Sequence, residues 1–247
     1  GRPRDPVAAR RHFESAASQG NAQALRILAH LTGNGAHFHM SLWDGDTNLF
    51  VRDREDDPRN LGLSELAYNF IAGLKAHAKA YIALTAPTVS SYKRLVVGAP
   101  QSGATWAPAY VTYGWNNRTM MLRIPAAGRI EDRTVDGSCN PYLAAAAVLA
   151  SGLDGIAKGL DAGEPNSENL YDFSYDELTA RGLRALPGNL PEAVAELERD
   201  DVLRAALGRT RPNEEYVDYY TRVKRDEWFR YHEQVTPWEV REYLTRF

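Results

Sequence analysis

The sequence predicts an α+β chain in which short strands come before a helical half. Two observations predict the strands: a His-x-His run at residues 37–39, and a stretch from about 87 to 136 that is rich in Gly, Pro, Thr and aromatic residues. Beyond residue 140, capping residues and prolines instead precede longer segments with helical apolar spacing. With 247 residues, of which 44% are apolar, the chain can bury a substantial core.

The first predicted element is a strand that carries His37 and His39. Side chains alternate between the two faces of a strand, so both imidazoles should leave one face while Ala36 and Phe38 pack behind them. Such a pair can bind one metal ion or anion, and it can equally be two structural or exposed histidines. The preceding residues 1–30 are rich in Arg and Ala and predict no clear element.

A core helix is predicted next. Ser64 is placed to cap its first turn, and the helix should end before Pro87. An apolar stripe at helical spacing is formed by Leu66, Phe70, Leu74, Ala78 and Tyr81 with Ile82. We assign no functional role to His77 within this helix.

Three short apolar runs then predict strands joined by loops, at 109–113, 120–124 and 128–133. In the last run, alternation places Arg129, Glu131 and Arg133 on one face, with Ile130 and Asp132 on the other. Two guanidiniums should therefore flank one carboxylate. The pattern fits a structural ion-pair ladder, and it fits equally a carboxylate that binds a divalent cation while arginines bind phosphate oxygens.

The helical half begins at Asn140, an N-cap that is followed by a proline in the first turn, and we expect a helix over 142–152. Further helices are predicted over 192–207 and 214–231. Thr236, with a glutamate three residues later, forms a capping box that opens the last helix.

Composition argues against several classes of partner. The net charge of −3, with dispersed arginines, offers no basic surface for nucleic acid. Apolar runs such as 143–150 are far shorter than the roughly 20 residues that span a bilayer, and no signal-peptide pattern opens the chain. A single cysteine, Cys139, fits a reducing compartment. We therefore expect a cytoplasmic protein that binds neither nucleic acid nor membranes.

Several arginines lie in the strand- and loop-rich middle of the chain. Arg94, Arg118 and Arg123 precede Arg129 and Arg133, so five fall within a stretch that otherwise predicts strands and loops. Arginine is seldom fully buried without an anion. We infer that an acidic ligand binds there.

Taken together, these motifs resemble the catalytic domain of glutamine synthetase. Order and spacing agree from about Leu31 to the carboxyl terminus. The matching segments are 33–43 (GNGAHFHMSLW), 91–96 (SYKRLV), 117–125 (NRTMMLRIP), 129–133 (RIEDR), 136–143 with its Asn-Pro-Tyr-Leu, and the closing Trp238-Glu with Tyr-Leu.

The resemblance implies that ATP phosphorylates the γ-carboxylate of glutamate and that ammonia or an amine then displaces phosphate. By similarity, His37 and Glu131 would bind the metal ion, Mg²⁺ or Mn²⁺, and His39 would contact the ATP phosphates. Gly33 would lie along the glutamate backbone, and Arg94 would hold the α-carboxylate.

The remaining arginines acquire roles from the same resemblance. Arg118, Arg123 and Arg133 would surround the transferring phosphoryl group, where fixed positive charge supplies most of the catalysis. Arg118 and Arg123, with Arg129, would also bind ATP. The implied fold is a curved antiparallel sheet backed by helices, and family members assemble into homo-oligomeric rings.

One departure concerns the nucleophile. Family members usually carry a Tyr-Glu-Ala-Pro flap, whereas residues 99–108 form a longer loop with Trp106 where the glutamate would align. Loss of a negative charge and gain of an apolar wall resembles the type III branch, which includes γ-glutamylmethylamide synthetases, and suits an alkylamine. Trp106 can alternatively do no more than pack the loop.

A second departure concerns extent. Residues 31–247 resemble only the back part of a glutamine synthetase, without the amino-terminal β-rich domain and the first catalytic strands that bear most metal-binding glutamates. We therefore expect the chain alone to bind nucleotide weakly and to turn over slowly or not at all. A truncated, non-catalytic binding or assembly module is the alternative, as is a ligase for another carboxylate or another amine.

Overall fold

The computed structural model describes residues 35–95 and 107–244. Gly33, Trp106 and the segment 1–30 lie outside these ranges, and so do the predictions made for them. None of the helices in the described ranges has the length and apolar character needed to cross a bilayer.

Seven helices and eight strands lie within the described ranges. The helices are α1 Glu65–Thr85, α2 Pro141–Lys158, α3 Tyr175–Ala180, α4 Leu190–Glu198, α5 Asp201–Leu207, α6 Tyr216–His232 and α7 Pro237–Tyr243. The strands are β1 Phe38–Met40, β2 Trp43–Asp44, β3 Thr47–Asn48, β4 Tyr113–Trp115, β5 Leu122–Ala126, β6 Arg129–Asp132, β7 Arg209–Arg211 and β8 Glu214–Glu215.

The main sheet has the order β1-β6-β5-β4, and β2-β3 and β7-β8 form separate two-stranded hairpins. The α+β class is confirmed. The pairings β1-β6 and β6-β5 are antiparallel, as expected, but β4 and β5 run parallel. The N–H of Asn116 bonds to the carbonyl of Ile124, and that of Leu122 bonds to Thr112. The chain between these residues thus returns to the starting end of β4 instead of reversing in a hairpin.

A bulge in β5 sets the register of the site strands. Arg123 pairs with Glu131 while Ala126 pairs with Arg129, so β5 has one residue more than β6 over this interval. The interval contains Pro125, which has no N–H to donate to a sheet. The extra residue leaves Arg123 directly opposite Glu131.

Helix α1 is the core element predicted from its caps. The Ser64 side chain accepts a hydrogen bond from Ala67 N, and the helix ends at Thr85, before Pro87. The buried Tyr81 donates a hydrogen bond from its hydroxyl to Asp132 of β6, at 2.7 Å. Helix α1 thereby supports the sheet from behind.

Helices α1 and α2 cross at glycines. A Cβ on Gly73 would lie 2.1 Å from the Ser151 carbonyl oxygen, and one on Gly152 would lie 2.1 Å from the Phe70 ring. Only glycine permits such an approach. Because Gly152 serves this packing, α2 continues past the predicted end at 152 to Lys158, after its N-cap at Asn140.

The predicted helix 192–207 is two helices, α4 and α5. Asp200 separates them, and its carboxylate accepts a hydrogen bond from Leu203 N as the N-cap of α5. The same residue lies 2.6 Å from His77 Nδ1, whose Nε2 lies 3.1 Å from Asp154. His77 therefore joins α1 to α2 and α5, in keeping with a structural role. The capping box at Thr236 is confirmed.

Candidate active site

Three neighbouring strands bring the predicted residues into one row. His39 on β1 pairs with Glu131 on β6, and Arg123 on β5 pairs with Glu131 from the other side. Directly paired residues project from the same face of a sheet. The alternation predicted for β6 is also observed, because Ile130 and Asp132 are buried on the opposite face.

Glu131 is the centre of the cluster, and its side chain is only 1% exposed. His37 Nδ1 lies 2.7 Å from Oε1, and Arg133 Nη1 lies 3.0 Å from the same oxygen. Arg123 Nη1 lies 2.7 Å from Oε2, and His39 Nε2 is 4.0 Å from Oε1. One buried carboxylate is thus shared by two guanidiniums and one imidazole.

The electrostatics of this cluster keep the carboxylate ionised. Burial works to raise the pKa of Glu131, but the hydrogen bond from Arg123 and the charge of Arg133 outweigh it and lower that pKa. Burial, followed by the charge of Arg133, lowers the pKa of His37. Near neutral pH the site therefore combines an anionic oxygen ligand with an uncharged imidazole, the protonation states that metal binding requires.

The donor set fits part of a divalent-metal site. His37 and Glu131 supply one nitrogen and one carboxylate, whereas Mg²⁺ and similar ions take about six ligands, mostly oxygens. In the ranges 35–95 and 107–244 there is no group of three or more His, Cys, Asp or Glu side chains able to hold a metal. Mg²⁺ commonly completes its coordination with waters and substrate phosphates.

Arg123 and Arg133 have second contacts that orient them. Arg123 donates from Nε and Nη2 to the Asn116 side-chain oxygen, at 3.1 and 2.6 Å. Arg133 donates from Nε to the carbonyl of Arg118, at 3.3 Å. The side chain of Arg118 is exposed, so the structure brings Arg118 to the cluster through its backbone.

The guanidinium of Arg94 binds the backbone that follows β6. Nη1 donates to the carbonyl of Arg133, at 3.2 Å, and Nη2 donates to those of Thr134 and Val135, at 2.7 and 3.0 Å. Burial lowers the pKa of Arg94. Nε is buried without a partner among the described residues, and a Cβ on Gly35 would lie 3.5 Å from Nη1. A role for Arg94 in holding an α-carboxylate stays a prediction.

Arg129 stands apart from the cluster. It is exposed at the start of β6 and forms no ion pair with any residue that the structure describes. The second guanidinium beside Glu131 therefore belongs to Arg123 of the next strand, not to Arg129. A role in ATP binding needs an exposed side chain and stays a prediction for Arg129.

Two residues of the site were not singled out from the sequence. Asn116 holds Arg123, and its signal is an asparagine pair directly after a strand, where left-handed turns occur; its φ is 46°. Asp132 anchors β6 from behind through Tyr81 and Thr134. Its burial follows from the alternation of β6, but its partner Tyr81 lies 51 residues away in sequence.

Comparison with known proteins shows a protein family that the chain matches. Residues 10–243 match the family described as glutamine synthetase, catalytic domain. Over 215 residues the chain is 52% identical to a glutamate–methylamine ligase from Methyloversatilis universalis, covering 87% of this chain and 47% of that protein. It is 42% identical to a glutamine synthetase from Halobacterium salinarum over 224 residues, covering 89% of this chain and 46% of that protein.

A solved structure described as a GmaS/ADP complex is also similar. The TM-score is 0.75 at 46% identity, over 88% of this chain and 47% of that chain. The chain thus spans about half the length of the relatives it matches. The resemblance inferred from the motifs is confirmed, and the chain belongs to the glutamine synthetase catalytic-domain family.

Proposed function

We propose that the chain carries one half of the active site of an enzyme that uses ATP to join ammonia or an alkylamine to the γ-carboxylate of glutamate. The observation that carries this proposal is the buried Glu131, ionised among His37, Arg123 and Arg133 on one face of the sheet. Phosphoryl transfer needs cations fixed around the phosphate oxygens, and Glu131 fixes Arg123 and Arg133 beside each other.

Each side chain then has a definite task. A divalent cation, Mg²⁺ or Mn²⁺, held by His37 and Glu131 would neutralise phosphate charge and orient the nucleotide. Arg123 and Arg133, positioned by Asn116 and by the backbone of Arg118, would stabilise the charge that spreads over the phosphoryl oxygens.

The more exposed residues contribute to binding under the same proposal. His39 and Arg129 are exposed and would contact the ATP phosphates. Gly33 and Arg94 would bind glutamate, and the side chain of Arg118 would reach the transferring group.

For the nucleophile we favour a small alkylamine such as methylamine. The relative that is 52% identical is described as a glutamate–methylamine ligase, against 42% for the glutamine synthetase of Halobacterium. Trp106 supports this choice from the sequence, because an apolar wall in place of a carboxylate suits a methyl group.

The test is phosphate release by the purified chain with ATP, Mg²⁺, glutamate and either methylamine or ammonium. We expect slow turnover that is faster with methylamine, and loss of it in Arg123→Ala. The matched control is Arg225→Ala, which removes an exposed arginine of α6 paired with Glu198. A strong preference for ammonium would remove the alkylamine proposal.

A binding or assembly module is the second candidate, supported by the absence from the described ranges of any group of three or more His, Cys, Asp or Glu side chains able to hold a metal. It predicts ADP binding, measured by calorimetry, without phosphate release at any amine concentration. Absence of both ADP binding and turnover would contradict both candidates. A homo-oligomeric ring, to be tested by light scattering, and a cytoplasmic location, consistent with the single Cys139, belong to the proposal as expectations.

A further inference from the structure

The guanidinium of Arg123 is held from two sides. The Asn116 side-chain oxygen accepts from Nε and Nη2, at 3.1 and 2.6 Å, while Glu131 accepts from Nη1, at 2.7 Å. An arginine has five N–H donors, and these contacts use three. One N–H on Nη1 and one on Nη2 have no partner among the described residues. These N–H groups are available to the oxygens of an anion.

The backbone also fixes the position of Asn116. Asn116 follows β4 directly, and its N–H bonds to the carbonyl of Ile124, the residue after Arg123. Its φ of 46° is left-handed, a conformation that asparagine tolerates better than most residues. The acceptor oxygen is therefore anchored one residue away from the arginine that it binds.

The neutrality of Asn116 matters for charge. Glu131 is already shared by Arg123, Arg133 and His37, so cations exceed carboxylates in the cluster. An aspartate at 116 would have nearly the same shape and would place Arg123 between two carboxylates. The amide instead orients the guanidinium and leaves its positive charge available to a ligand.

We propose that Asn116 is a positioning residue that aims the unused N–H groups of Arg123 at a phosphate-type anion without placing a second carboxylate beside Arg123. That Arg123 binds a phosphate-type anion, the anion half of this inference, rests on the proposed function. That Asn116 holds the guanidinium of Arg123, the positioning half, does not depend on any ligand.

The test compares two substitutions of the 247-residue chain. Asn116→Asp keeps the shape and adds a negative charge, and Asn116→Gly keeps the left-handed backbone and removes the amide. Affinity for pyrophosphate and for ADP, each with Mg²⁺, is measured by calorimetry, and thermal unfolding checks the fold. The control for added charge is Asn189→Asp at the N-cap of α4, where an aspartate oxygen can still accept from Glu192 N. Because this change loses the bond from Asn189 Nδ2 to the Glu192 carboxylate, it is compared by affinity and not by unfolding temperature.

We expect Asn116→Asp to weaken anion binding about tenfold or more without lowering the unfolding temperature, because a unit charge near a protein surface acts over several ångströms. Asn189→Asp should bind as the wild type does. A merely structural role would lower stability and leave affinity unchanged. Wild-type affinity in a folded Asn116→Asp would overturn the inference.

A second measurement keeps the positioning half testable if the wild type binds neither anion, a result that would contradict the proposed function and the anion half. The Nε–H signal of Arg123, assigned by its loss in Arg123→Lys, should exchange slowly with water in the wild type and at least several times faster in Asn116→Gly. Equal exchange in the two proteins would overturn the positioning role.

Discussion

Glu131 and Asp132 are neighbours on β6 and equally buried, at 1% and 0% exposure, yet their surroundings are opposite. Glu131 faces cations, and the hydrogen bond from Arg123 and the charge of Arg133 lower its pKa against the effect of burial. Asp132 faces the hydroxyls of Tyr81 and Thr134, at 2.7 and 2.6 Å, and burial raises its pKa despite these bonds.

The difference shows that the partners of a buried carboxylate decide whether its pKa is raised or lowered. The face of β6 that carries Glu131 concentrates ionised groups and suits a charged ligand. The opposite face uses neutral hydrogen bonds and fastens the strand to α1. One strand therefore separates a face of ionised groups from a face that packs against α1.

The largest effect on the free energy of unfolding is expected when the carboxylate of Glu131 is removed. Glu131→Gln leaves Arg123 and Arg133 beside each other without a carboxylate, which should cost about 3–5 kcal/mol in the free energy of unfolding. Urea denaturation monitored by fluorescence measures this change. A loss below about 1 kcal/mol would mean that the cations are compensated by solvent, and that the two faces do not differ as described.

A second cluster has the opposite arrangement, with one histidine between two carboxylates. His77 lies between Asp154 and Asp200, and the hydrogen bond with Asp200, outweighing burial, raises the pKa of His77. The raised folded-state pKa means that the stabilisation is complete below the unfolded value of about 6.5 and is lost as pH rises through the folded value. His77→Gln should therefore cost about 2 kcal/mol near pH 5.5 and less at higher pH.

Urea denaturation of wild type and His77→Gln across pH 5 to 9 checks this prediction. A difference between the two proteins that grows with pH would contradict it.

On the neutral face, Asp132→Asn is expected to cost about 1 kcal/mol at pH 7, because an amide can still bond to Tyr81 and Thr134. The pH profile is more informative. The raised folded-state pKa of Asp132 makes the wild type lose stability as pH rises from about 4 through that folded value, and the variant lacks this loss. Identical pH profiles would show that folding does not raise the pKa of Asp132.

The smallest effect on stability is expected at Arg129. Because Arg129 is exposed and unpaired within the described ranges, Arg129→Ala should change the free energy of unfolding by less than about 0.5 kcal/mol. If it binds ATP as proposed, the affinity for ADP should nevertheless fall. Unchanged affinity would remove Arg129 from the site and leave the row of His39, Glu131 and Arg123.

Alternation within a strand predicted the faces of β6, and the His-x-His strand brought both imidazoles toward Glu131. These features depend on neighbours in sequence. The pairing of Arg123 with Glu131 depends on the register of two strands and on the bulge around Pro125, which no local pattern reports. For the same reason Arg129 was expected beside Glu131, where Arg123 lies.

Helix ends likewise were predicted where they depend on contacts between residues close in sequence. Ser64, Asn140 and Thr236 cap as predicted, because a cap is a contact between residues three or fewer positions apart. The carboxyl end of α2 was predicted wrongly at Gly152. That glycine packs against Phe70 inside the helix, which continues to Lys158. Asp200 likewise ends one helix and caps another while it binds His77.

The glycine crossing of α1 and α2 has a consequence for how mutations would be interpreted. Gly73 and Tyr81 are eight residues apart on α1, or about 12 Å along the helix axis. A methyl group added at Gly73 would push α1 away from α2, and Tyr81 would carry that displacement through Asp132 to β6. A substitution at Gly73, which has no side chain to react, would then displace β6 much as a substitution in β6 itself would.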